Sequence, residues 1–571
     1  MNTNKSIGRS LESANANMHE ASVCLECTPG LNTKQGKWTT VSDMENYDGD
    51  IGLVHYFDGR NVMMMPFSHE LVIGSTGTGK SEVFYKNQIE LLSRLPEHLR
   101  PSFLVTDTKG ILHLDTGRGL IQNNYNVVVV DMRNPYQSAR FNFMLQIYDD
   151  YHHARNIKKL LDEDKIGTVF EGKKYPSKTH ARNAAKALRV KLTDSVERNI
   201  SEVASILLDH LISEKDRTWA EGAKTMCRAL IWTMLRDSED ERNGMTRDKF
   251  TISNLCRIAG STGEECEEII EWLEAAKDNL TVRNALASNY KLRAKVTRDG
   301  YISTLNTSLG PFAATSIGAI TATSDDIDLK EIAGSDRPYA IFVITDERQK
   351  TTNTICGIFI NSLINELVAA ADERAEHALP RDFVILADEF ANIPKLPDLA
   401  QKITTLRSRR IWMVMAIQSI QQMNMVYSED ISSVIQDNCD LHLFLGCNND
   451  MTKEAFAKSM GLKIGVKTSF TINNEGSVSI NKGTENVPVI RKSDLDALTL
   501  GQFYVRSRQS ENMRSYIVPY FERTDTPKPL VQEDVEFRDH DPEKYIYDIY
   551  EVIKLEHRRP QPAGRRFDFD F

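Results

Sequence analysis

The sequence predicts an α/β fold: a doubly wound, mostly parallel sheet built from two blocks of the chain, with an all-α domain inserted between them. Three observations predict it. Short, almost continuous apolar runs occur before residue 150 and resume after residue 330, as strands covered on both faces require. A glycine-rich turn joins the first such run in the sheet to a helical stretch, the strand–turn–helix unit of α/β proteins. Between them strand signals are scarce and apolar residues recur at helical spacing. At 571 residues the chain also exceeds what one hydrophobic core usually serves.

The elements follow in order. Residues 1–45 read as a loosely ordered leader. Gly52 to Pro66 reads as a hairpin around Asp58-Gly59, a pair suited to positive φ. Leu71-Val72-Ile73 is a short buried strand, and Ser81 opens a helix through Leu95. Phe103 to Thr106 and Val127 to Val130 are further strands, completing a first block over 46–150. In the insert, 151–330, Ile200, Val203, Ala204, Leu207, Leu208, Leu211 and Ile212 share one helical face. Ala223 to Leu235 and Cys266 to Ala276 are also expected to be helical. The second block, 331–522, holds strands at Tyr339 to Ile344, Phe383 to Ala387, Trp412 to Ile417 and Leu441 to Leu445. A long amphipathic helix at about Thr354 to Glu376 lies among them. Strands alternating with helices are the doubly wound pattern. The polar tail, 523–571, ends near Arg558-Arg559 and Arg565-Arg566 and is expected to be flexible.

Composition is that of a globular protein, 41% apolar and 26% charged, with net charge −10. Such a balance gives no global nucleic-acid footprint, so any DNA contact is local. One basic stretch, Arg155 to Lys191, carries 11 Lys/Arg against 4 Asp/Glu. It could touch phosphates or form a solvated insert. No run approaches 18 apolar residues, and Met1 to Asn17 lacks a signal-peptide core. The expectation is a cytoplasmic protein without a transmembrane segment. The eight cysteines are scattered, as free thiols in a reducing compartment would be. Cys24 and Cys27 form one CxxC pair, short of the four ligands zinc usually takes.

Gly74-Ser75-Thr76-Gly77-Thr78-Gly79-Lys80-Ser81 fits G-x-x-x-x-G-K-[ST], the P-loop of nucleoside triphosphate sites. Its glycines let backbone N–H groups curl around an anion, and the following helix start adds partial positive charge. Lys80 is placed to reach the β- and γ-phosphates of ATP, and Ser81 to hold Mg²⁺. Val384 to Glu389 is an apolar strand ending in two carboxylates. Asp388 suits the magnesium shell, and Glu389 suits the base that orients water. Transition-state charge also calls for a cation, often from a neighbouring subunit. Arg407, Arg409 and Arg410 are candidates, or a surface cluster. Gln418 ends the next strand as a γ-phosphate sensor, or as an ordinary strand-end glutamine.

Asp388-Glu389-Phe390-Ala391-Asn392-Ile393, Thr405-Leu406-Arg407 and Ala416-Ile417-Gln418-Ser419 together resemble the conjugative type IV coupling proteins of the TraG/TraD class. These are RecA-like, FtsK-related ATPases. Asp107-Thr108-Lys109-Gly110 is similar to the family's Asp-Pro-Lys-Gly turn, with Thr108 in place of proline. Ser138 to Asn142, Asp326, Asn438-Cys439, Leu445-Gly446 and Val487 to Tyr520 also agree. The resemblance spans roughly 50–522. It implies a RecA-like nucleotide-binding domain with an inserted all-α domain, working as an ATP- and Mg²⁺-dependent hexameric ring. It implies Arg407 as a trans-acting finger, Gln418 as nucleotide sensor, and Trp219 near a substrate-facing helix. The implied partners are single-stranded DNA with its relaxase, and a type IV secretion channel or membrane-anchoring protein. Family members usually begin with transmembrane helices, and no such helix is legible here. The remaining readings are an FtsK-like translocase of another process, and a nucleotide-switched receptor for secreted protein cargo.

Overall fold

The computed structural model describes residues 25–29, 36–209, 217–261, 267–323, 326–346, 350–472, 478–531, 538 and 540–558. Its strands are β1 (Leu25–Glu26), β2 (Lys37–Thr40), β3 (Gly52–Phe57), β4 (Asn61–Pro66), β5 (Glu70–Gly74), β6 (Ser102–Asp107), β7 (Asn126–Asp131), β8 (Val169–Phe170), β9 (Lys173–Lys174), β10 (Tyr339–Ile344), β11 (Phe383–Ala387), β12 (Ile411–Ile417), β13 (Leu441–Gly446), β14 (Leu462–Ile472), β15 (Val478–Pro488), β16 (Gln502–Ser507) and β17 (Met513–Tyr516).

Among the described residues one large sheet runs in the order β1-β17-β16-β13-β5-β12-β11-β6-β10-β7. From β13 to β7 every neighbouring pair is parallel. The apolar runs of the sequence therefore form parallel strands, and β5, β6, β10, β11 and β12 are buried along their whole length. Residues of β6 alternate between two cores. Leu104 packs with the helical side, whereas Phe103 and Val105 pack with β3, β4 and the helix Lys86–Ser93. Each such side chain contributes about 1.5–3 kcal/mol by leaving water.

Registers bring the functional strand ends level. Ala387 pairs with Met415 and with Thr106, and Ile417 pairs with Ile73. The ends of β5, β12, β11 and β6 thus form one row along the carboxyl edge, where ligands of open α/β sheets bind. Between β7 and β10 the elements are helices apart from the two-residue strands β8 and β9; the longest helix is Lys178–Asp209. Leu211, Ile212 and Cys266 lie outside the described residues.

The structure departs from the sequence reading in four places. The sheet continues beyond β13 through β16 and β17, which are antiparallel, and β1 joins β17 in parallel. The span expected as a loose leader supplies β1, β2 and the buried side chains Cys27 and Met44. Cys27 lies 3.7 Å from Met63 Sδ, and burial pushes its thiol up to about 11, so it packs as an apolar group; Cys24 lies outside the described residues. The expected helix Thr354 to Glu376 begins at Lys350 and stops at Asp372. Its segment Asn353–Asp372 is long and apolar enough to cross a membrane, and most of it is buried in the fold.

The tail is the fourth departure, because much of it is packed. Arg523 is buried against Glu90 at 2.6 Å and against Asn87 at 2.8 Å. Further on, Asn254 holds the chain from both sides, donating to Tyr545 O at 2.7 Å and accepting from Tyr547 N at 3.0 Å. The Tyr547 hydroxyl donates to buried Asp237, which also accepts from Trp272 Nε1 at 2.6 Å. Ile549, Val552 and Ile553 of the helix Ile549–Arg558 are buried. Tyr547→Phe leaves a buried carboxylate one donor short, at a cost of about 1–3 kcal/mol. Thermal unfolding of the two chains measures it; identical curves would show that the tail contributes no stability there.

At the opposite edge of the sheet, His69 precedes β5. It accepts from Met413 N at 3.1 Å, and burial pushes its imidazole down to about 4, with Arg407 acting in the same direction. The folded state holds it neutral while the unfolded chain takes a proton below about 6.5. Stability present above pH 6.5 is therefore lost as pH falls toward 4, by up to about 3 kcal/mol. Melting curves of His69→Gln and the native chain should converge as pH falls through this window; a constant separation would contradict the assignment.

Candidate nucleotide site

The P-loop leaves β5 at Gly74. Gly77 and Gly79 have φ of 85° and 91°, a region L side chains avoid. A Cβ on Gly79 would lie 2.7 Å from Leu500 and 2.8 Å from Val83, so a side chain there has no room. Thr78 Oγ1 donates to Ser75 O at 2.8 Å, closing the turn. Ser75 N donates to Gly446 O at 2.8 Å, and Asn448 N donates to Ser75 Oγ at 3.2 Å. The loop is thereby pinned to the end of β13. Thr76 and Gly77 stay exposed at its crest.

Lys80 is buried, and its Nζ donates to Gly74 O at 2.7 Å. Burial pulls its ammonium pKa down, against the pull of the Asp388 and Glu389 charges. Ser81 Oγ donates to Asp388 Oδ2 at 3.3 Å, across 307 positions of sequence. Asp388 is itself anchored through its backbone, where Thr106 Oγ1 donates to its carbonyl at 2.9 Å. Burial pushes the Asp388 carboxyl up to about 6; Lys80 and the Ser81 hydroxyl oppose this, and Glu389 reinforces it.

These residues fit a divalent cation. Asp388 Oδ1 is buried and has no hydrogen-bond partner among the described residues. A spare carboxylate oxygen beside a serine hydroxyl is the sparse, all-oxygen donor set that Mg²⁺ takes while keeping several waters. An unpartnered buried oxygen of this kind is costly unless something fills it.

Glu389 follows in the left-handed region, φ 55° and ψ 50°. That conformation costs a non-glycine residue about 1–3 kcal/mol and is typical of functional turns. Asn392 Nδ2 donates to Glu389 Oε2 at 2.5 Å, which aims the carboxylate. Gln418 stands one residue past Ile417, level with Gly74, on the strand between β5 and β11. Its backbone N donates to Gln422 Oε1 at 3.1 Å, and Cys447 Sγ donates to its carbonyl at 3.2 Å.

Arg407 is placed elsewhere. It precedes β12 and so lies at the amino edge, about 20 Å of strand from the P-loop. There it pairs with Asp440 at 2.9 Å, and Asp440 N donates to His69 O at 3.0 Å. Arg409 pairs with Asp372 at 2.8 Å, and Arg410 with Asp382. Within one chain the structure brings Lys80, Ser81, Asp388 and Glu389 together, sets Gln418 at the end of the strand beside the P-loop strand, and leaves all three arginines apart from them. Trp219 packs edge-on against Tyr301 at 5.4 Å in the helical layer. The sequence reading gave no site role to Thr106, Asn392 or the Gly446–Asn448 support, although Asn392 and Gly446 lie in the stretches that resemble the coupling proteins. A lone threonine in an otherwise apolar strand, and an asparagine three places after Glu389, were the available signals.

Fold and site together define a protein of the P-loop class, with the nucleotide motif and acidic strand on one parallel sheet. The chain belongs to the type IV secretory system conjugative DNA transfer family, whose sequence profile matches residues 30–498. No curated protein matches it. Among solved structures it is similar to the bacterial conjugative coupling protein TrwBdeltaN70 in its unbound monoclinic form. That similarity has 13% identity and a TM-score of 0.54, covering 89% of this chain and 99% of that one. The plasmid coupling protein TrwB in complex with the ATP analogue ADPNP gives the same values. TrwB in complex with ADP and Mg²⁺ matches at 13% identity and TM-score 0.54, covering 90% and 99%. At such identity the likeness bears on the fold.

Proposed function

We propose that this chain is the ATP-driven, Mg²⁺-dependent coupling ATPase of a conjugative system, recruiting relaxase-bound DNA and feeding it to a type IV secretion channel. The observation that carries the reading is the 3.3 Å contact between Ser81 and Asp388. It makes one polar centre of a glycine turn and an acidic strand end that are distant in sequence. Bound MgATP supplies the phosphoanhydride and the cation that neutralises β- and γ-phosphate charge.

The chain's own residues do the rest. Loop N–H groups and Lys80 cradle the phosphates, and Ser81 and Asp388 hold the cation. Glu389, aimed by Asn392, orients and deprotonates the attacking water. Gln418 reads the γ-phosphate from the adjacent strand end. Arg407, remote from its own site, completes that of a neighbouring subunit in a ring, after release from Asp440. The helical layer engages the cargo, and the protein works at the cytoplasmic face of the membrane beside a membrane-anchored partner.

The test is ATP hydrolysis by the full chain with single-stranded DNA, with duplex DNA and with none, alongside sedimentation in each state. Stimulation by DNA together with ring assembly is expected. Stimulation by a partner protein but by no DNA would overturn the motor reading in favour of a protein-cargo receptor.

A further inference from the structure

Three helices from separate parts of the chain meet at one buried polar cluster on the helical side of the sheet. Glu202 comes from the helix Lys178–Asp209 of the layer between β7 and β10. Asn361 and Asn365 lie four apart on the helix Lys350–Asp372, and so share a face. Lys402 lies on the helix Leu399–Leu406, which connects the acidic pair to Arg407. Asn361 Nδ2 and Asn365 Nδ2 each donate to Glu202 Oε2 at 2.6 Å. Lys402 Nζ donates to Glu202 Oε1 at 3.2 Å and to Asn361 Oδ1 at 2.8 Å. Glu202 is 9% exposed and Asn361 3%.

Such a cluster adds little net stability, because apolar packing of equal volume does as well. Its value is geometric: a satisfied buried network admits one arrangement of the elements that supply it. Here those elements are the helical layer, the helix behind the sheet and the segment ending in Arg407. The same segment is held further along by Arg409 on Asp372 at 2.8 Å. The Lys402–Glu202 bond is the cross-link from this segment to the helical layer.

We propose that Glu202, Asn361, Asn365 and Lys402 are positioning residues that tie the Arg407 segment to the helical layer, so that the state of this layer sets the placement of the arginine. The inference rests on the reading of Arg407 as the cation of a neighbouring site. Its physical content is a mechanical link: movement of the helix Lys178–Asp209 pulls on the helix Leu399–Leu406 through one ion pair and its asparagine clamp.

The test uses the full chain with Lys402→Met and with the charge exchange Glu202→Lys/Lys402→Glu. Two readouts are taken: amide hydrogen exchange without nucleotide, and steady-state ATP hydrolysis. In Lys402→Met, exchange over 399–410 should rise about tenfold while that of 74–86 stays as in the native chain. The kcat should fall at unchanged KM for ATP, and the charge exchange should restore most of both. Native-like exchange over 399–410, or a uniform rise across the whole fold without rescue, would overturn the proposal. A local, rescued rise in a chain that hydrolyses no ATP would sustain the tether and refute the motor reading.

Discussion

Glu389→Gln should bind ATP as tightly as the native chain and hydrolyse it about a thousandfold more slowly. Positioned proton transfer contributes about 10²–10⁴ in rate, and the amide removes the base while keeping the shape and the bond from Asn392. Geometry supports the size of the effect. Glu389 is held in a left-handed backbone conformation directly after the strand that carries Asp388, and its carboxylate is half-buried and fixed at 2.5 Å. Loss of kcat at constant KM marks an interaction made in the transition state. Single-turnover hydrolysis with saturating ATP measures it. A fall of less than tenfold would move the base to another residue.

Arg407→Ala should also abolish turnover, since fingers supplied in trans are worth about 10³–10⁵. In this fold the effect cannot arise within one chain, because Arg407 sits at the amino edge beside Asp440 while the P-loop leaves the carboxyl edge. Mixing therefore discriminates. Arg407→Ala and Lys80→Ala chains are each inactive alone. In a random ring about a quarter of the interfaces pair an intact P-loop with an intact arginine, so activity returns. Mixtures as inactive as their parents would show that Arg407 does not act across an interface.

The nucleotide half of the site was legible because its chemistry is local. Eight consecutive residues encode the loop, and the acidic pair ends a strand of five buried residues. The parallel strands were legible for a similar reason: both faces are covered, so the runs are apolar throughout. The antiparallel extension was not. β1 is two residues long, and β16 mixes Gln, Arg and Ser with its apolar residues because one side is only partly covered. The packed tail escaped notice because its buried anchors, Arg523 and Tyr547, are polar side chains that pair with Glu90 and Asp237, while Asn254 holds the backbone at Tyr545 and Tyr547. Composition reads such residues as solvated. Arg407 was legible as a cation near the acidic strand in sequence, but its edge of the sheet was not, since that depends on the direction of β12.

The central claim is that Ser81 and Asp388 hold one cation beside one triphosphate. A double-mutant cycle tests it most directly. The affinity of a non-hydrolysable ATP analogue is measured with and without Mg²⁺ for the native chain, Ser81→Ala, Asp388→Asn and the double variant. The account predicts that each single change weakens binding in Mg²⁺ alone, and that the double variant loses clearly less than the sum, because both residues serve the same ion. Additive losses, or equal losses with and without Mg²⁺, would contradict it.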